Sequence, residues 1–163
     1  MDIVETIMSM EICVLSDVRI SSIAEWQNAV GAEELPLQLP PGEPLSASGG
    51  GDFVALLRAK RTRIEYSIVD FDELIGTYKT VEFGRRWKYV LAFIWSSDFA
   101  EEIAAWMAAT AYARATHGVV FDEHNGQLLT AAEALKVALE LERLLPEKEA
   151  AFQIFLQQLH GKS

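Results

Sequence analysis

The chain reads as an α+β domain: a mainly antiparallel sheet with helices packed on one face, ferredoxin-like or duplicated ferredoxin-like. Three observations predict it. Trp87 to Trp95 is aromatic and branched, and apolar on both faces after Lys88, the composition of a covered central strand. Other strand patterns gather in the middle of the chain, and the longest helix patterns follow them. Helix starts are marked at Ser22, Asp98 and Thr130, each with glutamate three residues on, the spacing of a capping box.

The chain has 163 residues, 50% of them apolar, which suits one domain with a real core and excludes wholesale disorder. The expected organisation is an N-terminal extension (residues 1–9) followed by a single domain (10–163). Cys13 has no partner in the chain, so a disulfide-stapled scaffold is excluded. No long apolar run is free of charge, and the acidic N-terminus lacks the basic start of a signal peptide. A cytoplasmic protein with no membrane segment is the expectation.

Element by element, Ile12 to Leu15 is a short apolar run and reads as a buried strand. A short helix follows Ser22, with Ile23, Trp26 and Val30 at helical spacing and Gly31 as its stop. Leu35 to Leu39 alternates like an edge strand, because Pro36 cannot donate to a ladder. Residues 40–51, rich in proline and glycine, read as one long flexible loop. Phe53 to Leu57 and Ile64 to Val69 are strands joined by a basic connector. Asp70 to Gly76 gives one or two helical turns. A helix from Asp98 through Ala115 carries Phe99, Ile103, Trp106, Met107 and Ala111 on one face. Alanines fill much of the rest, so it can be buried on more than one side. Val119 to Phe121 is a strand ending in an Asn125-Gly126 turn. Thr130 starts a leucine-rich helix expected to stop before Pro146. A last amphipathic helix, with Phe152, Phe155, Leu156 and Leu159, ends at Gly161.

Charge bears on partners. The net charge is -10, divided as -8 over residues 1–52, +3 over 53–97 and -5 over 98–163. An acidic chain repels phosphate backbones, so nucleic-acid binding is not expected. The basic centre is the exception. Arg58, Arg61 and Arg63, then Arg85, Arg86 and Trp87, are the candidate binding residues. Gly84-Arg85-Arg86-Trp87 sets two guanidinium groups beside an indole, which suits carboxylate or phosphate contacts. The competing explanations are a solvated strand face, and arginines that answer acids between Asp70 and Glu73 or at Glu82.

Other chemistry finds little support. No Gly-x-x-x-x-Gly-Lys-Ser/Thr pattern or strand-fed Gly-x-Gly-x-x-Gly turn exists, and no Cys-x-x-Cys or His-x-x-x-His spacing, so no cofactor and no metal are expected. Asp122-Glu123-His124 are consecutive and point apart. No Gly-x-Ser-x-Gly elbow occurs, and Cys13 in an apolar strand reads as core. No catalytic residue is assigned. The tryptophans Trp26, Trp87, Trp95 and Trp106 read as packing.

The stretches Val14 to Asp17, Ser21 to Trp26, Phe83 to Trp87 and Gly118 to Thr130 resemble a group of small bacterial proteins of unknown function. The alanine-rich helix followed by Gly118-Val119-Val120-Phe121-Asp122-Glu123 also resembles the closing segment of α+β families linked to toxin immunity. That motif is structural and carries over no active site. The resemblance implies a binding role. The leading expectation is therefore a non-enzymatic interaction module, immunity-like by that resemblance, which engages a protein partner or associates with itself. The alternative is a small-molecule or anion binder, or a small enzyme, with a pocket near Arg85, Arg86 and Trp87.

Overall fold

Alternation of apolar side chains along the strands sets the architecture. A computed structural model describes residues 10–42, 45 and 49–161. The extension expected at residues 1–9 lies outside the described residues, as does part of the expected loop (43, 44 and 46–48). In chain order the elements are β1 (Met10–Ser16), α1 (Ile23–Ala32), β2 (Leu37–Gln38), β3 (Gly50–Leu57), β4 (Lys60–Val69), α2 (Phe71–Thr77), β5 (Tyr89–Trp95), α3 (Phe99–Thr116), β6 (Val119–Asp122), β7 (Gln127–Leu129) and α4 (Ala131–His160).

The strands form one sheet in the order β2-β3-β4-β5-β1-β6-β7. Every ladder is antiparallel. The α+β class and antiparallel sheet agree with the sequence reading, and β5 holds the central place foreseen for it. The order differs from a ferredoxin-like split βαβ, which needs parallel neighbours.

Both faces of the sheet are covered, because its central strands are apolar on both sides. On β1, Ile12 and Val14 face one way and Cys13 and Leu15 the other. On β5, Leu91, Phe93 and Trp95 oppose Val90 and Ala92. The first face carries α1, α3 and α4 over the larger core. The second is covered by Phe71 and Leu74 of α2, with Phe83 and Trp87 from the connection to β5. Helices on a single face, as expected, would have left that second apolar layer in water.

All three marked helix starts are capped as their spacing foretold. The side chains of Ser22, Asp98 and Thr130 accept from the backbone N–H groups of Glu25, Glu101 and Glu133, and Thr130 completes a reciprocal capping box. Helix α3 is buried from Ile103 to Ala113 all round, as its alanines allow. Several boundaries differ from expectation, and β4 begins at Lys60, inside the expected basic connector. Helix α1 runs one residue past Gly31, and the left-handed turn falls on Glu34. Strand β3 begins at Gly50, inside the expected loop. The two C-terminal helices are one, α4, with Pro146 inside it. Proline removes a single N–H, freeing the carbonyl four residues back. Here Pro146 is exposed, at the rim of the packed side beside the stripe residue Leu145, and the stripe on either side of it stays in one helix.

Candidate functional site

Helix α4 carries one apolar stripe over its whole length. Ala134, Ala138, Leu141 and Leu145 recur at spacings of three and four, then Phe152, Phe155 and Leu159 continue the same line. The first half packs on α3 and the core, where Ala134 and Ala138 are 0% exposed. The second half faces outward, with Phe152 49%, Phe155 53% and Leu159 54% exposed.

Length explains the change. The 18 residues of α3 and the 30 of α4 give rods of about 27 and 45 Å at the helical rise. The Phe99 and Phe152 rings meet edge to face at 6.4 Å, so Phe152 lies level with the start of α3. Beyond it α4 runs on with nothing from α3 to cover its apolar face. Beside Phe152 is an open depression of about 500 Å³, lined by Ser96, Asp98, Phe99, Ala100 and Glu149. A second hollow, of about 240 Å³, lies on the other side of Ala100 and Glu149, walled by Leu57, Arg61, Leu145 and Pro146. The two make one surface along the outer half of α4.

That surface takes in part of the predicted basic group. The β3–β4 hairpin turns on Arg58 and Ala59, both at positive φ (48° and 68°). Its tip is tied to α4 by a two-pronged ion pair from Arg58 to Glu142, both contacts at 2.8 Å. Arg61 lines the smaller hollow, while Arg63 pairs with Asp52 and Glu65 on the strand face. Arg85, Arg86 and Trp87 stand elsewhere, on the connection from α2 to β5. Arg85 pairs with Asp17 and stacks 3.8 Å from the Trp87 ring centre. Arg86 grips Asp72 at 2.7 and 3.0 Å. Each guanidinium holds its aspartate below the usual carboxylate range. An anion would have to displace Asp17 or Asp72 to reach them. Trp87 is mostly buried, its indole N–H donating to the Phe83 carbonyl. The six predicted residues thus form two separate groups.

A third group was not foreseen. One ligand atom each from Glu11, Cys13 and Glu123 lies within 4.8 Å of the others. Its origin is strand register: Cys13 faces Phe121 and Ile12 faces Asp122 across the β1–β6 ladder, and Glu11 and Glu123 are the next residues beyond that end of it. Nothing local in the sequence announces that meeting. Asp122, by contrast, holds the β6–β7 turn through the His124 N–H and the Asn125 amide. Burial first, then the hydrogen bond and repulsion with Glu123, push the Glu11 carboxyl up to about 8. Burial also raises the Cys13 thiol and the Tyr78 phenol, which both sense Glu123 and Glu11. The group sets the raised Glu11 carboxyl against Glu123, beside a thiol and a phenol that burial keeps protonated.

This pair carries a pH dependence of fixed sign. Folded Glu11 keeps its proton to about pH 8, against an ordinary value of 4.5. The folded chain therefore binds more protons between those limits, so stability is complete below 4.5 and falls as pH rises through 8. With solvent screening of a part-exposed pair, the expected loss is about 2 kcal/mol. Glu11→Gln should flatten the slope of urea-melt stability between pH 5 and 8.5. An unchanged slope would show that the Glu11 carboxyl is not raised in the folded chain.

A partly open cavity of about 210 Å³ lies over the main core, lined by Arg19, Trp26, Tyr66, Leu91 and Tyr112. It is smaller than the usual small-molecule pocket. Among the described residues, no helix is long and apolar enough to cross a membrane. No protein-family model, curated protein or solved structure matches the chain.

Proposed function

We propose that this chain is a non-enzymatic protein-interaction module that docks through the outer half of α4. The observation behind the reading is the stripe of Phe152, Phe155 and Leu159, half-exposed on the line that the same helix buries further back. Aromatic side chains in such a row lose water-exposed area only when something lies on them, the usual mark of a docking face. The chemistry elsewhere favours binding over catalysis. Arg58, Arg63, Arg85 and Arg86 are engaged with the chain's own carboxylates. The Cys13 thiol is buried and kept protonated. The resemblance of residues 118–130 to toxin-immunity families supports a binding role in the same way. A reducing compartment such as the cytoplasm, which keeps a lone thiol reduced, belongs to this proposal.

The test is the pair of substitutions Phe155→Glu and Leu159→Glu. Both positions face water, so unfolding free energy should move by less than about 0.5 kcal/mol. Protein–protein association, read by chemical cross-linking, should be lost. Association that survives both changes, or a stability loss above about 2 kcal/mol, the size expected for core residues, would overturn the reading.

A further inference from the structure

We infer that the occupant of the α4 end is a second copy of this chain, paired antiparallel about a two-fold axis near Phe155. The inference rests on the interaction reading above and names its partner. Charge is the first argument. The chain carries -10, so two copies repel over most of their surfaces, and a foreign partner would be selected largely by charge. The stretch from Ala150 to Leu159 has no charged side chain at all. It offers nothing to select an oppositely charged partner, and it lets two like-charged copies approach. A two-fold axis makes an apolar row complementary to itself, and the contact closes without propagating.

Area is the second argument. Three half-exposed large side chains with their flanks offer roughly 500 Å² per copy, or about 1,000 Å² for the pair. That reaches the lower bound of a specific interface, the range of weak, reversible association. Geometry is the third. The eight residues after Phe152 span about 12 Å. In an antiparallel pair, Leu159 of the second copy then lies over Phe152, at the depression beside Phe99 and Ala100.

Sedimentation velocity on the full chain decides the matter. From about 1 to 100 μM, the range in which weak, reversible pairs form, the sedimentation coefficient should rise from monomer to dimer. Phe155→Glu should stay monomeric throughout, with an unchanged circular dichroism spectrum. Cysteine scanning gives the geometry, because Cys13 is buried and is the only native thiol. Oxidised Phe155→Cys should form a covalent dimer, and Leu139→Cys, exposed but off the stripe, should not. A wild-type monomer at every concentration overturns self-pairing. So does a monomer that dimerises only after residues 1–9 are removed, since that assigns the stripe to the chain's own first residues. If the wild type is monomeric while the two glutamates still abolish association with another protein, the interaction reading stands without this inference. A dimer that persists in Phe155→Glu is formed elsewhere and overturns self-pairing on this face, and one that also survives Leu159→Glu removes both.

Discussion

Trp26→Ala should cost about 4 kcal/mol, a large fraction of the stability of a domain this size. Trp26 is fully buried and sits where α1 meets the sheet. Phe53, Tyr66, Phe93 and Tyr112 surround it edge to face, with ring centres between 5.3 and 6.4 Å away. Those rings come from β3, β4, β5 and α3, so one side chain ties four elements to α1. Its indole N–H also donates to the Ala108 carbonyl at 3.0 Å. Truncation would leave a cavity that four rigid rings cannot collapse to fill. Trp26→Phe keeps part of the volume and loses the hydrogen bond, and should cost about 2 kcal/mol. Urea denaturation of the two variants measures both. A loss under about 1.5 kcal/mol for alanine, well below the range for a buried tryptophan, would show that α1 is not clamped through this ring.

The sequence foretold this burial but not its company. Ile23, Trp26 and Val30 at helical spacing say that Trp26 points inward, and the rule that tryptophan in an apolar pattern is core holds here. Which rings receive it depends on strand register, which no local pattern encodes. The same division runs through the whole fold. Capping residues were legible because a cap is a contact within four residues. The central place of β5 was legible because its composition is apolar on both faces. That property also implied a cover for the second face, yet the segment that supplies it, from Phe71 to Trp87, carries no long helical pattern. Pro146 misled because the rule that proline ends a helix prices the lost N–H and the ring clash, and says nothing of an apolar stripe running past it.

The candidate site divides in the same way. The sequence marked Phe152, Phe155, Leu156 and Leu159 as one face of a helix. It could not show that no described residue covers the face, because that follows from α4 being longer than α3. The arginines were marked as well, and Arg86 does meet an acid of the foreseen stretch, Asp72. The partners of Arg58 and Arg85, Glu142 and Asp17, lie 84 and 68 residues away. The Glu11–Glu123 pair is the extreme case, since only the β1–β6 ladder brings it together.

Gly118→Ala, a single added methyl group, should cost about 3 kcal/mol, and its neighbour should respond with the opposite sign. Glycine after a long helix reads as the left-handed stop, but the left-handed residue here is His117, at φ 55°. Gly118 serves a different need. Its N–H donates to the Ala113 carbonyl at 2.9 Å, which closes the helix, and the chain then turns directly into β6. A Cβ at 118 would lie 2.3 Å from the Leu15 carbonyl oxygen and 3.0 Å from the Ser16 Cβ. The first of these is main chain in a central strand, paired on both sides, and cannot yield alone. The strain must therefore pass into the β1–β6 ladder, which sets Glu123 against Glu11. The alanine variant should thus show a lower thermal midpoint together with a weaker pH response. His117→Gly instead relieves a left-handed side-chain residue and should gain about 1 kcal/mol. If alanine at 118 were tolerated with a loss under about 1 kcal/mol, far below the cost of a main-chain overlap, β6 would be free to shift along β1. The register that brings the two carboxyl groups together would then not be fixed by this turn.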